Sequence, residues 1–473
     1  MSDIGVVWIR EDFRLENNPA LSYATQNHKF VIALFIYNSS DYDNKREAQK
    51  WWLSKSLEAF QKDLNLYKIN LQILNGDELD IFSKITNKDK ISIYWNKIYE
   101  PDVINKGKKI RDIFLKNNIN FKYFKGNILN EFQDITKNDG TPFKVFTPFW
   151  RNAEEKYLNS PTPKDYKLKK MTNFKSFFKK TIDPKSILPK KKWFRKFENY
   201  WEVSENKSRK ILKDLLDKKI KDYGTSRDIP SIEGTSKLSP YIKHGQIHVG
   251  TIWKKCSELK SKSIGYRKYI NELGWREFSH SLINYFPEFL KGNFRKEFDK
   301  FPWEKNEKFL KAWKNGMTGY PIVDAGMREL YETGWMHNRI RMVVGSFLVK
   351  HLRINWTEGE KHFRNCLLDF NKANNIAQWQ WVAGCGADAA PYFRIFNPIL
   401  QGEKFDKDGL YVKKWVPELS KVPNKFIHKP WEMEMKYQQA IKTIIGKDYP
   451  TPIVIHEKAR AAALKAFQSL KKK

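Results

Sequence analysis

Ile4-Gly5-Val6-Val7-Trp8 and Phe30-Val31-Ile32-Ala33-Leu34-Phe35-Ile36-Tyr37 are short apolar runs without alternation. Runs of this kind read as strands buried on both faces. Leu71–Leu74 and Ile91–Tyr94 repeat the pattern, and Phe121–Phe124 is a weaker instance. Between them Ala48–Leu66 and Val103–Asn117 carry helical periodicity. Strand and helix in alternation predict a parallel α/β sheet with right-handed crossovers. Neither GxGxxG nor GxxxxGK[ST] occurs here, so the usual phosphate-cradling loops are missing.

From about Asn130 to Tyr200 the alternation stops. Pro161, Pro163, Pro184 and Pro189 punctuate a Lys-rich stretch that reads as a connector with short helices. Beyond Tyr200 strand signals nearly vanish. In Arg339–His351, Ile340, Val343, Val344, Phe347, Leu348 and His351 share one face, which predicts a core-facing helix. Asn338, Arg341 and Met342 fall on its other side. Ala459–Lys473, rich in Ala and Lys, reads as a solvent-facing helix. The expected fold class is an α/β, Rossmann-like parallel-sheet domain over residues 1–130, a connector over 131–200 and an all-α domain over 201–473.

The chain has 473 residues with 87 Lys+Arg against 54 Asp+Glu, a net charge of +33. Such an excess attracts polyanions and releases counterions from phosphates, which points to nucleic acid. Runs such as Lys190–Lys192 and Lys471–Lys473 also read simply as solvated surface. A hydrophobic fraction of 41% describes a globular chain rather than a disordered one. Cys256, Cys366 and Cys385 are too few and too scattered for a disulfide framework or a zinc site, so a reducing, cytoplasmic setting is expected. The N-terminus enters a strand directly, without a signal-peptide pattern, and no apolar stretch reaches the ~18 residues of a membrane span. Aromatic residues make up 15%, with 17 Trp, a content suited to base stacking, cofactor packing or electron transfer.

Glu233-Gly234-Thr235-Ser236-Lys237-Leu238-Ser239-Pro240 sets hydroxyls and a cation where a loop meets a helix. It reads as a pyrophosphate site or as an ordinary N-cap. In Glu272-Leu273-Gly274-Trp275-Arg276-Glu277-Phe278 an acid and an indole are i,i+3 neighbours, able to read and stack a base, or else a plain amphipathic face. Asn338 and Met342, at i,i+4, face one cavity. A buried arginine among Arg339 and Arg341 requires a carboxylate, and Asp369 is a candidate. Asp369 to Trp381 is rich in side-chain amides and ends on Trp379 and Trp381, whose rings point about 200° apart on a helix. No Ser-His-Asp set, nucleotide loop or metal cluster stands out among the nine His, which favours chemistry carried by a cofactor.

With these stretches, Trp8-Ile9-Arg10-Glu11-Asp12-Phe13-Arg14-Leu15, Thr318-Gly319-Tyr320-Pro321-Ile322-Val323-Asp324-Ala325, Gly334–Met342 and Trp379 through Asn397-Pro398, the chain resembles the photolyase/cryptochrome family over nearly its whole length. The resemblance implies an N-terminal antenna domain and a helical domain holding FAD in a bent conformation. Tyr223 and Thr235, Ser236, Lys237, Leu238 and Ser239 would hold the FAD phosphates, with Lys237 where Arg is usual. Glu272, Arg276, Asn338, Arg341, Asp369, Phe370, Asn371 and Asn374 would line the flavin pocket, Asn374 facing flavin N5. Asn371 stands where Asp is usual, which removes a charge near the ring. Trp379, Trp356 and Trp303 match the family's electron chain, from the flavin outward; on their own each reads as a core Trp.

The resemblance also implies DNA contacts by Arg227, Glu272, Trp275, Asn338, Arg339, Met342, Trp381, Arg394 and Gln401, with the damaged bases flipped out of the duplex. Arg339 and Arg394 would grip phosphates, Trp275 and Trp381 would wall the lesion, and Glu272 would bond the pyrimidine edge. Relatives that repair (6-4) photoproducts carry two His at the positions of Asn338 and Met342, where acid–base chemistry is needed. Asn and Met point instead to cyclobutane pyrimidine dimers, split by a light-driven carbon–carbon lyase acting as a monomer. Glu272, Asn338, Met342 and Asn374 are its expected catalytic residues. The alternatives are a blue-light photoreceptor, which a long C-terminal extension would favour, and a (6-4) enzyme of the same fold. A folate antenna, methenyltetrahydrofolate, is expected ahead of a deazaflavin: Lys291 matches a folate-contacting Lys and Lys50-Trp51-Trp52-Leu53 resembles antenna-binding members. Val103 stands where folate-binding members carry a carboxylate.

Overall fold

The structure, a computed structural model, describes residues 3–43, 45–86, 90–159, 161, 166–174, 176–190, 192–260, 262–389 and 393–470. Pro163, Lys191 and Lys471–Lys473, named above, lie outside the described residues. Contacts gather the chain into two compact units: Met1–Ile220 with Ser236–Pro287 and Leu368–Ala373, and Lys221–Thr235 with Glu288–Leu367 and Asn374–Lys473.

The first unit is built on a parallel five-stranded sheet of order β3-β2-β1-β4-β5. The strands are β1 (Ile4–Ile9), β2 (Phe30–Tyr37), β3 (Asn70–Asn75), β4 (Ile91–Asn96) and β5 (Asn120–Phe124). β1 pairs with β2 in the register Ile4↔Phe30 and with β4 in the register Ile4↔Ile91. Residues alternate between faces, and each face is covered by helices. Val7, Ile9, Val31, Ala33 and Phe35 pack with Leu21 of α1 (Pro19–Asn27) and Leu57 and Phe60 of α2 (Glu47–Asn65). Val6, Trp8, Leu34 and Ile36 pack with Phe82 of α3 (Glu78–Ser83) and Ile110 and Phe114 of α4 (Pro101–Lys116). β5, at the edge, is only partly buried, which explains its weak apolar signal.

α1 and α3, which flank the sheet, went unread in the sequence. α1 starts at Asn18, whose side chain accepts from Leu21 N, with Pro19 at the first turn. α3 starts similarly at Asp77. The stretch read as a connector with short helices contains α5 (Phe146–Asn159), 14 residues long, burying Phe146, Phe149, Trp150, Ala153 and Tyr157. α5 packs on α6 (Ile264–Tyr285). Trp51 and Trp52 of α2 are fully buried: Trp52 donates to Gln246 Oε1 at 3.1 Å and stacks on His244.

The second unit is helical. Its main elements are α7 (Pro321–Thr333), α8 (Asn338–Ser346), α9 (Trp356–Cys366), α10 (Lys372–Ala383, which begins in the first unit), α11 (Pro398–Phe405) and α12 (His456–Ser469). The periodic stretch after Asn338 bears the predicted buried face, but at Phe347–His351 α8 widens into a π-helical turn. α12 is not simply solvent-facing. Ala459, Ala463 and Ala466 are buried, and Phe467 stacks on Phe393 at 4.5 Å. No described helix is long and apolar enough to cross a membrane.

Burial pushes His244 in the first unit and His351 in the second down to about 3. Both are neutral when folded, whereas an unfolded histidine titrates near ~6.5. Below that pH the unfolded chain binds more protons, so stability is lost as pH falls from about 6.5 toward about 3. Urea midpoints measured from pH 7 to pH 5 should fall. His244→Phe, which keeps the stack on Trp52, should flatten that decline; an unchanged slope would remove His244 from the account.

Candidate functional site

In the first unit, β1 connects through α1 to β2 on one side and β4 through α4 to β5 on the other. Their carboxyl ends therefore open a crevice, the position where open α/β sheets bind ligands. A shallow recess lies there, lined by Glu11, Asp12, Lys97, Tyr99 and Glu100 from the strand ends, and by Asn127, Lys243, Arg276, His280 and Asn371. Lys243 is buried and ion-paired with Glu11, with Glu100 at 3.6 Å. Arg276 donates to Glu277 Oε1 at 2.8 Å and to the Asn127 carbonyl at 2.6 Å. Burial pushes the Glu277 carboxyl up, against the pull of Arg276. His280 is held neutral by burial, 3.4 Å from the Asn371 amide.

The same unit carries Ser236 to Ser239. Lys237 has φ +54°, a left-handed conformation that strains a lysine. Ser236 Oγ accepts from Leu238 N at 3.3 Å, so part of this loop is a local cap. Ser239 Oγ donates to Asp369 Oδ2 at 2.6 Å, and Phe370 is buried. Hydroxyls and an ammonium suit a diphosphate; a carboxylate and an amide suit the polar edge of a flavin. The donor set fits FAD.

On α6, Glu272, Trp275 and Arg276 are half-buried. Phe146 of α5 stacks on Trp275 at 3.8 Å and 7°, and Trp150 lies parallel behind Phe146. Phe146 escaped the sequence reading. The spacing of Phe146, Phe149, Trp150, Ala153 and Tyr157 carried the signal.

In the second unit, α8 leaves Asn338 exposed and Arg339, Arg341 and Met342 half-buried. Arg339 has a carboxylate partner, Asp228, at 2.9 Å. Asp228 follows Arg227, whose guanidinium lies 5.7 Å from the Tyr223 ring. Arg341 Nε donates to the Met336 carbonyl at 2.8 Å. Thr235, Trp303 and Gln401 are half-buried, and Arg394 is exposed. Trp381 donates to the Asp388 carbonyl at 3.1 Å. Val103 in the first unit is half-buried and Lys291 in the second is exposed.

Trp379 and Trp356 are buried, Trp303 less so. Trp379 meets Phe363 at 5.0 Å and Trp313 at 6.2 Å, while Trp356 donates to Asn293 at 2.8 Å. Asn374 is half-buried. Its neighbour Asn375, which the sequence reading passed over, is buried and donates to Glu360 Oε1 at 3.1 Å. Adjacent helix residues point about 100° apart, so the two amides serve different surroundings. Among the described residues no cluster of His, Cys, Asp and Glu could hold a metal.

Comparison with known proteins agrees with this arrangement. The family model for DNA photolyase matches residues 5–167, and that for the FAD-binding domain of DNA photolyase matches residues 269–469. A deoxyribodipyrimidine photo-lyase of Agrobacterium fabrum is 40% identical over 99% of this chain and 98% of its own. A bacterial class III photolyase from Agrobacterium tumefaciens superposes with a TM-score of 0.93 at 39% identity, covering 100% of this chain and 98% of the other. An archaeal photolyase from Sulfolobus tokodaii, solved with two FAD molecules, gives 0.81 at 29% identity over 98% of this chain and 100% of the other. The chain belongs to the DNA photolyase family and carries its FAD-binding domain.

Gly359 on α9 lies against Trp379 so closely that a Cβ would sit 2.1 Å from the ring. Gly359→Ala should therefore destabilise the protein by about 1–3 kcal/mol in denaturant unfolding and displace the indole. Phe146→Leu should cost about 0.5–1.5 kcal/mol beyond lost area by removing the stack on Trp275.

Proposed function

We propose that this chain is a deoxyribodipyrimidine photo-lyase, repairing cyclobutane pyrimidine dimers in DNA under blue light. The observation that carries this reading is its 40% identity over 99% of its length to a protein of that name. Asn338 and Met342, one turn apart on α8, support the choice of lesion. Neither titrates near neutral pH, so the pair offers electron-transfer repair a polar and an apolar contact but no acid–base couple.

FAD, when bound, would supply the light-driven electron donation that splitting a dimer needs. The protein's residues prepare that event. Thr235, Ser236, Lys237, Leu238, Ser239 and Tyr223 would bind the FAD phosphates; Arg276, Arg341, Asp369, Phe370, Asn371 and Asn374 would hold the flavin. Glu272 bonds the pyrimidine edge, Trp275 and Trp381 stack against the flipped bases, and Arg227, Arg339, Arg394 and Gln401 grip the strand. Trp379, Trp356 and Trp303 relay electrons inward, and the outermost, Trp303, is the most exposed of the three. The enzyme works as a cytoplasmic monomer.

A second chromophore, a folate or less favourably a deazaflavin, would lie against the Glu11, Lys97, Glu100 and Lys243 side of the crevice between β1 and β4. Its alternating acids and bases suit a flat heterocycle with donors and acceptors along one edge. Trp51 and Trp52 are packed into the protein and give such a group no support.

A thymine-dimer oligonucleotide illuminated with blue light should lose its dimer, with no loss in the dark and none of a (6-4) substrate. Glu272→Ala should lower dimer affinity and repair yield together, and Trp379→Phe should block photoreduction while sparing repair by pre-reduced enzyme. No repair by FAD-loaded protein would move the reading to a photoreceptor. Glu100→Gln with Lys243→Met should release the second chromophore and keep FAD; loss of FAD instead would make the crevice part of the flavin site.

A further inference from the structure

Arg339 is already neutralised before DNA arrives. Its Nη2 lies 2.9 Å from Asp228 Oδ1, in a pair with side chains 20% and 29% exposed, within reach of solvent. The guanidinium rests 4.3 Å from the centroid of Phe405 on α11. One turn earlier on that helix stands Gln401, whose Oε1 is buried without a hydrogen-bond partner. Arg339 N donates to His337 Nδ1 at 3.3 Å, which anchors the start of α8. The charges weighing most on His337 are one carboxylate, Asp228, and three guanidiniums, Arg227, Arg339 and Arg341. Asp228 is thus the carboxylate that pairs with Arg339, while Glu329 Oε2 accepts from His337 N at 3.1 Å.

We propose that Asp228 is a built-in stand-in for a DNA phosphate, holding Arg339 in position and lowering affinity until a backbone phosphate displaces it. The proposal rests on the reading of Arg339 as a phosphate contact. A carboxylate and a phosphate compete for the same guanidinium donors, and both are charge-assisted acceptors. The pair is partly exposed, so the restraint is modest and reversible. Phe405 keeps the guanidinium plane in place during the exchange. The device acts on every DNA that approaches, through charge, and not on base identity.

The test is a double-mutant cycle on the FAD-loaded full-length protein, read by equilibrium binding to dimer-containing and undamaged duplexes over a range of salt. Asp228→Asn should strengthen binding to both by about two- to fivefold. It should steepen the slope of log K against log salt by about 1. In an Arg339→Gln background the same substitution should have little effect. Weaker or unchanged binding by Asp228→Asn, while Arg339→Gln does weaken binding, overturns the proposal and leaves the reading of Arg339 standing. An undiminished gain in the Arg339→Gln background also overturns it, because the effect is then general charge. If Arg339→Gln binds DNA as the parent does, the reading of Arg339 falls and the proposal with it. Flavin absorbance and melting temperature of each variant report whether it has folded.

Discussion

One amide holds the carboxyl ends of β1 and β4 together. Asn96 Nδ2 donates to Asp12 Oδ2 at 2.6 Å and to Asn18 Oδ1 at 2.8 Å, and its Oδ1 accepts from Ala20 N at 3.2 Å. Asn96 is 4% exposed, where an unmet polar group would be costly. Its bonds reach the loop after β1 and the first turn of α1. That loop is held further by Arg14, which donates to the Gly245 carbonyl at 2.9 Å, and by Phe13 N on the His244 carbonyl at 3.3 Å. Gly245 has φ +69°, and a Cβ there would lie 1.9 Å from the Glu11 carbonyl oxygen. The crevice that receives Lys243, Arg276 and Asn371 keeps its shape through these bonds.

The second unit has a similar anchor. Asp324 is buried and accepts from Thr318 N, Thr318 Oγ1, Gly319 N and Tyr449 Oη at 2.6–3.0 Å. Burial pushes its carboxyl up, while those donors favour the ionised form. Thr318 to Ala325 helped carry the family resemblance, yet its part is architectural: it fastens the start of α7 to the C-terminal segment. Trp379, set between Gly359, Phe363 and Trp313, has no room to turn.

Much of the fold was legible because burial on two faces leaves a plain mark. β1 and β2 are apolar throughout, β4 is mostly so, and the core face of α8 repeats with the helical period. The unread elements carry mixed signals. α1 holds only short buried side chains behind an Asn-Pro start, and α5 lies in a Lys-rich, Pro-punctuated stretch whose charges mask a regular aromatic period. The candidate DNA residues were legible by resemblance, but their partners were not. Phe146 behind Trp275, Asp228 beside Arg339 and Glu360 beside Asn375 come from remote segments, and local spacing does not report such pairings.

The sequence by itself determined the alternation of strand and helix, the helical character of the rest, the basic charge and the residue types available for flavin, lesion and phosphate. These follow from side-chain period and composition, which are local properties. Tertiary structure alone decided that Trp51 and Trp52 are buried against Phe197, Tyr241 and His244. It also decided that Lys243 lies between two glutamates and that Arg339 is held by an aspartate. Those outcomes depend on which distant groups share a low-dielectric space, where pairing and burial set the energy, and only the folded chain brings them together.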